Sequence, residues 1–282
     1  MDLRQAINNL PSLKLTVEAH GLLAKKSLGQ NFLLDKNITD KIISLSLKKQ
    51  NLPSFSGSHV FEVGPGPGGL TRAVISNHPD KMTVIELDER CINIMHDINS
   101  KTGNILEILN QDALKYDFSY QENNDKHIVS NLPYNISVPL LTKWLYDIDC
   151  YASLTLMFQK EVADRIQAQT STKDYGRLSV LAQLQCKITR LIDLNPECFT
   201  PAPKIWSSVL LFQPLEKTLS KEEISKVEKL TAQAFSMRRK MIRQSLKSIK
   251  NLEEICEKLG IKTTMRPEEI TPEQFLSLSK EV

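Results

Sequence analysis

The residues Asn131-Leu132-Pro133-Tyr134 join a carboxamide, a proline and an aromatic ring, directly after the apolar run His127-Ile128-Val129-Ser130. The carboxamide oxygen and the carbonyl of Pro133 are acceptors, and the Tyr134 ring offers a stacking face. Together they suit a flat ring carrying an exocyclic amine, such as adenine. Pro133 fixes its own φ and restricts Leu132, so the acceptors are presented in a set geometry. The same four residues also fit a strand that ends in an ordinary turn, since Asn and Pro form turns and Tyr often serves a core.

A second motif precedes it: Val60-Phe61-Glu62-Val63-Gly64-Pro65-Gly66-Pro67-Gly68-Gly69-Leu70-Thr71. It reads as strand, glycine-rich turn and helix start, the layout of a loop whose backbone approaches a nucleotide. No Gly-Lys-Ser/Thr follows, so a triphosphate site fits poorly. The loop also differs from an ordinary dinucleotide loop, because Pro67 and Gly68 crowd the turn. The next apolar run, Met82-Thr83-Val84-Ile85-Glu86, ends in an acid placed to accept hydrogen bonds from two ribose hydroxyls. A ribose without a pyrophosphate points to S-adenosylmethionine. A further apolar run, residues 105–109, leads to Gln111-Asp112-Ala113, where Asp112 either accepts from the cofactor's adenine amine or caps a helix. Gly64, Glu86, Asp112 and Asn131 thus all fall at carboxyl ends of expected strands, where open α/β sheets hold their ligands.

Seven segments in register resemble the ribosomal RNA adenine dimethyltransferase family, over nearly the whole chain: Lys25-Lys26-Ser27-Leu28-Gly29-Gln30-Asn31-Phe32-Leu33, the loop from Glu62 to Thr71, Glu86-Leu87-Asp88, Gln111-Asp112-Ala113-Leu114, Asn131-Leu132-Pro133-Tyr134-Asn135-Ile136-Ser137, Phe199-Thr200-Pro201-Ala202-Pro203-Lys204 and Phe235-Ser236-Met237-Arg238-Arg239-Lys240. The resemblance implies a Rossmann-like class I methyltransferase fold with a mostly parallel sheet, followed by a small all-helical domain. It implies S-adenosylmethionine contacts at Asn31, Leu33, Gly64, Glu86, Asp112 and Asn131, and catalysis at Asn131, Pro133, Tyr134 and Phe199, with the two rings stacking on the target base. It implies as substrate the 16S rRNA of an immature small ribosomal subunit. The chain departs from the family's usual Val-x-Ser at Ile205-Trp206-Ser207, on the lip of the base pocket. Two alternatives are the large-subunit rRNA dimethyltransferases of macrolide resistance and a non-catalytic assembly factor. The resistance enzymes typically carry Gly-Thr-Gly-Lys-Gly and Asn-Ile-Pro-Tyr, where this chain has Gly64-Pro65-Gly66-Pro67-Gly68 and Asn131-Leu132-Pro133-Tyr134.

These elements need a scaffold. With 282 residues, 41% of them hydrophobic, the chain can bury a full core and leave room for a smaller second domain. An amphipathic helix is expected over residues 36–49, then alternating strands and helices to about residue 212, an exposed loop over 167–174 and a break at Gln213-Pro214. Helical spacing resumes after Ser220, which divides the chain into a methyltransferase domain, 1–214, and a helical RNA- or subunit-binding domain, 215–282. A net charge of +3 is mild. Locally, residues 236–250 hold six basic side chains and no acid, with Arg239, Arg243 and Lys247 spaced for one helix face, a phosphate-binding or merely solvated surface; Met241, Ile242 and Leu246 are its expected buried side. The five cysteines are widely spaced and the five histidines lack metal-ligand spacing, so neither a disulfide framework nor a metal site is expected. No apolar run reaches membrane-spanning length and the first residues resemble no leader, so a monomer in a bacterial cytoplasm is expected.

Overall fold

The computed structural model describes residues 2–22, 31–119 and 125–282; the segment Lys25-Lys26-Ser27-Leu28-Gly29-Gln30 of the first motif lies outside them. Two short helices open the chain, α1 (Leu3–Asn8) capped by Asp2 and α2 (Leu13–Ala19) capped by Ser12. They bury Ile7, Leu13 and Val17, so the first residues are part of the core. Arg72 ties them down, donating to the Pro11 carbonyl at 2.6 Å and Thr16 Oγ1 at 3.1 Å.

Next come β1 (Phe32–Leu33) and α3 (Lys36–Gln50), the latter capped by Asp35 and stopped by Asn51 in the left-handed region. The alternation then runs β2 (His59–Val63), α4 (Gly69–Ile75), β3 (Lys81–Glu86), α5 (Glu89–Lys101), β4 (Leu106–Asn110), β5 (Lys126–Asn131), α6 (Tyr134–Tyr146), β6 (Ser153–Gln159), α7 (Lys160–Ile166), α8 (Arg177–Gln185), β7 (Cys186–Leu194), β8 (Phe199–Thr200) and β9 (Ser207–Pro214). Seven strands form one sheet in the order β4-β3-β2-β5-β6-β9-β7. The pairs β3–β4, β2–β3, β2–β5 and β5–β6 are parallel, whereas β9 runs antiparallel to β6. Strand β2 is buried along its whole length, His59 and Glu62 included. From β2 the chain builds outward through β3 and β4, then returns to the other side of β2 with β5. That reversal is a topological switch point, and it opens a crevice beyond the ends of β2 and β5.

The chain divides into two compact units. One comprises Met1–Lys143, Cys150–Lys160 and Thr189–Phe212; the other comprises Trp144–Asp149, Glu161–Ile188 and Gln213–Val282. The second is mainly helical, with α9 (Lys221–Ser236), α10 (Ile242–Ser245), α11 (Leu252–Lys258) and α12 (Pro272–Lys280) following α8. Its core joins Tyr175, Val180, Leu230, Ile242, Leu246 and Phe275, and Tyr175 donates to the Ile270 carbonyl at 2.8 Å.

The basic run of residues 236–250 is not one helix. Beyond Ser236, which ends α9, only Ile242–Ser245 is helical, because the amides of Ile242 and Arg243 donate to the carbonyls of Met265 and Thr263, at 2.8 and 3.1 Å, instead of to a preceding turn. Arg239, Arg243 and Lys247 are exposed all the same, while Arg238 pairs with Glu268 at 3.0 Å. Ile242 and Leu246 are buried as expected; Met241 is exposed.

Candidate active site

Strands β2 and β5 pair from His59–Lys126 to Phe61–Ile128. Beyond those pairs Ser130 Oγ donates to the Val63 carbonyl at 2.6 Å, clamping the strand ends from which both loops spring. Gly64 has φ +69°, and an added Cβ there would lie 3.4 Å from Pro133 Cδ, so the two loops approach each other closely. A Cβ on Gly69 would stand 2.6 Å from the Leu33 carbonyl, which brings β1 against the start of α4. The result is a cleft of about 700 Å³, open mouth included, lined by Asn31, Leu33, Gly64, Glu86, Asn131, Pro133 and Tyr134 together with Glu62.

Each side chain is held. Glu86, at the tip of β3, accepts on Oε1 from the amides of Leu87 at 2.7 Å and Asp88 at 3.0 Å. Burial pushes its pKa up, against the hydrogen bonds from the amides of Asp88, Leu87 and Gly66. Asn131 Nδ2 donates to the Asn31 carbonyl at 3.3 Å, which leaves Oδ1 as the acceptor of that carboxamide. The Pro133 carbonyl accepts from the Ile136 amide at 3.1 Å as α6 begins, and keeps a second lone pair. Tyr134 hydroxyl and Ser207 Oγ are 2.9 Å apart, which fixes the half-buried ring.

Two expected site residues stand outside the cleft lining. Asp112 Oδ1 accepts from the Leu114 amide at 2.9 Å in a turn after β4, and Lys143 Nζ donates to the Leu114 and Tyr116 carbonyls at 2.7 and 2.6 Å. Asp112 thus caps a turn, not the helix the sequence allowed, and Oδ2 remains as a further acceptor. Phe199 is 3% exposed, with Leu33 opposite it in the β1–β8 ladder.

Glu62 is a participant that the glycine pattern hides. It is 1% exposed, accepts from Thr71 Oγ1 at 2.6 Å, and its pKa is pushed up to about 8 by burial, with the nearby Glu86 adding and Thr71 opposing. The signal was an acid inside an otherwise apolar strand, Val60-Phe61-Glu62-Val63. Glu62 and Glu86 are the carboxyl side chains among the described cleft lining, with no basic side chain beside them, so the cleft suits a ligand with hydroxyl donors and a positive charge that favours their ionised forms. Those are features of S-adenosylmethionine, whose sulfonium is positive and whose ribose carries two hydroxyls.

A parallel-sheet switch point with a glycine loop, an acid on the next strand and an amide acceptor opposite defines a class I methyltransferase. Residues 21–282 match the model of the family described as ribosomal RNA adenine dimethylase. The chain is 43% identical to ribosomal RNA small subunit methyltransferase A of Mesorhizobium japonicum, over 98% of this chain and 100% of that one. It is 40% identical to the protein of the same name from Rhodospirillum rubrum, over 98% and 93%. Among solved structures, a dimethyladenosine transferase from Plasmodium falciparum shares 26% identity over 86% of this chain and 94% of its own, with a TM-score of 0.73. A 23S rRNA methyltransferase shares the fold, with a TM-score of 0.66 at 22% identity over 89% and 98%. The protein belongs to the ribosomal RNA adenine dimethylase family.

Proposed function

We propose that this protein transfers methyl groups from S-adenosylmethionine to the exocyclic amines of two adjacent adenosines, in a loop near the 3′ end of 16S rRNA in the immature small ribosomal subunit. The observation that carries the reading is the placement of Asn131, Pro133 and Tyr134 at the switch point, beside a cleft whose charged lining is acidic. The 43% identity to a small subunit methyltransferase favours that subunit over the large one.

Bound S-adenosylmethionine supplies an electrophilic methyl on a sulfonium. Glu86 takes the ribose hydroxyls, the loop at Gly64 with Asn31 and Leu33 encloses the cofactor, and Asp112 Oδ2 accepts from its adenine amine. The target amine is a weak nucleophile because its lone pair is delocalised into the ring. Asn131 Oδ1 and the second lone pair of the Pro133 carbonyl each accept one amine hydrogen, which favours a pyramidal nitrogen whose lone pair faces the methyl. The nitrogen lone pair forms the new carbon–nitrogen bond as the carbon–sulfur bond breaks. The thioether leaves with the electron pair of the broken bond, and the amine proton, acidic only as the new bond forms, passes to solvent water, so no His or Cys is called for. For the second transfer one acceptor contact is given up, and the small Ser137 leaves room for a methyl.

Turning an adenine out of folded RNA costs a few kcal/mol, and stacking on an aromatic ring returns ~1–3 kcal/mol. Tyr134 supplies that face from the cleft. Phe199, buried on β8, is the second proposed ring at the base pocket. The helical region 215–282 contacts rRNA phosphates, with the exposed Arg239, Arg243 and Lys247 as its cationic surface. No helix among the described residues is long and apolar enough to cross a membrane, and the protein acts as a monomer in the cytoplasm, where its substrate is assembled. The test supplies labelled S-adenosylmethionine to immature small and mature large subunits and maps the labelled nucleosides. Dimethyladenosine in small-subunit rRNA is expected; label confined to the large subunit refutes the reading.

A further inference from the structure

Ile205 and Trp206 are 38% and 48% exposed, an adjoining pair of large apolar side chains at the start of β9. Single exposed apolar residues are ordinary on a surface, but this pair stands at the rim of the site. Because β9 runs antiparallel to β6, its first residue, Ser207, faces Gln159 at the carboxyl end of β6. Trp206 therefore projects beyond the sheet edge at which the cleft opens. Its backbone is anchored on two sides: its carbonyl accepts from the Lys160 amide at 2.8 Å, and the following residue, Ser207, holds the Tyr134 hydroxyl at 2.9 Å. The exposed Lys204 lies two positions away. An anchored indole with a cation beside it is the combination that binds unpaired nucleotides, the ring stacking on a base and the cation meeting phosphate.

We infer that Trp206 is a stacking platform for a nucleobase neighbouring the target adenosine, and so sets which unpaired strand is presented to Tyr134; this rests on the transferase reading above. Two strand spacings, about 10 Å, separate β5, which carries Asn131, from β9. Tyr134 reaches across that span, its hydroxyl 2.9 Å from Ser207 Oγ, and serves the base held at Asn131, while Trp206, beyond the sheet edge, takes the neighbouring base.

The test uses the full-length protein and immature small subunits. Trp206→Ala raises KM for the subunit between about 5- and 150-fold, the range to which a stack of ~1–3 kcal/mol converts at tenfold per ~1.4 kcal/mol. S-Adenosylmethionine affinity, measured by calorimetry, stays unchanged, and Trp206→Phe recovers most of the loss. The chain has two tryptophans, and Trp144 is fully buried, so acrylamide quenching of intrinsic fluorescence reports Trp206, which the subunit shields. Ultraviolet crosslinking joins Trp206 to a nucleotide next to the methylated ones. A KM unmoved by Trp206→Ala in protein that still methylates small-subunit rRNA overturns the inference and leaves the transferase reading standing. A crosslink to ribosomal protein in place of RNA likewise overturns it. Wild-type protein that puts no label in small-subunit rRNA overturns the reading itself and this inference with it.

Discussion

Replacing Glu62 by Gln tests whether the second buried acid of the cleft serves the cofactor's positive charge. In the free protein burial holds the Glu62 carboxyl at about 8, so near pH 7 it is ionised in about one molecule in ten. A cation entering the cleft favours the ionised form, and binding must draw on that minority, which costs about 1.4 kcal/mol at that pH. The sign follows: affinity for S-adenosylmethionine rises as pH increases toward about 8, by about tenfold per pH unit well below that value, then levels. The expected gain between about pH 6 and 9 is up to about 100-fold for wild type relative to Glu62→Gln, a ratio in which titration of the cofactor itself cancels. Calorimetry in buffers of different ionisation enthalpy supplies the second readout, the release of nearly one proton per cofactor bound near pH 7. Thr71→Val removes the hydrogen bond that opposes burial and moves the whole curve to higher pH. A flat ratio with no proton release would show that Glu62 stays neutral in the complex and serves only to hold Thr71.

Glu86→Gln keeps an acceptor for the amides of Leu87 and Asp88 but removes the charge; cofactor affinity is expected to fall about 10- to 100-fold, the difference between charged and neutral hydrogen bonds, with thermal stability nearly unchanged, and equal affinity by calorimetry refutes the assignment. Asn131→Ala is expected to lower turnover by two or more orders of magnitude with a smaller effect on subunit binding, because its contact tightens in the transition state; surviving turnover eliminates the acceptor scheme. Replacing Arg239, Arg243 and Lys247 together by Gln leaves cofactor affinity intact, weakens subunit binding and flattens its dependence on salt, and an unchanged salt slope shows a merely solvated surface. His127 is buried beside Ser153 Oγ at 2.8 Å, and desolvation lowers its pKa from 6.5 to about 4. Below about 6.5 the unfolded chain binds the proton first, so stability falls as pH drops toward about 4, by up to ~3 kcal/mol, and urea midpoints compared with His127→Gln measure that share.

The strand ends were legible because they combine apolar runs with residues that strands do not tolerate, and Gly64, Glu86 and Asn131 each mark such a boundary. That a site lies at those strand ends followed from the alternation; the reversal between β2 and β5 that makes the switch point appears only in the sheet order. What local pattern could not supply were effects of distant partners. The basic run has helical spacing, yet Met265 and Thr263 take the hydrogen bonds of Ile242 and Arg243 and confine the helix to four residues. The anchoring of the first twenty residues draws on Arg72, more than fifty positions away. Asp112 offered two readings in sequence, and the structure adds the capping bond to Leu114 without removing the second oxygen. Residues 161–188 cluster with the C-terminal helices although a strand-and-helix alternation runs straight through them.

The cleft keeps two kinds of acceptor apart, and the methyl transfer proposed above gives a reason for the division. The ionisable acceptors, Glu62 and Glu86, stand on β2 and at the tip of β3, where positive charge and ribose hydroxyls are to be held throughout the reaction. The neutral acceptors, a carboxamide and a carbonyl, stand at the end of β5, where a neutral amine becomes positive only as the bond forms. A carboxylate in place of Asn131 would attract the sulfonium in the ground state as well as the developing ammonium in the transition state. Stabilising both equally lowers no barrier. A neutral amide, already oriented by the Asn31 carbonyl, gives its strength to the amine hydrogens as they become acidic, so its contribution grows along the reaction coordinate. On this argument Asn131→Asp is a worse enzyme than its near-identical shape suggests: it binds the cofactor at least as well as wild type and transfers methyl more slowly. The split between those two measurements separates an electrostatic role for Asn131 from a purely steric one.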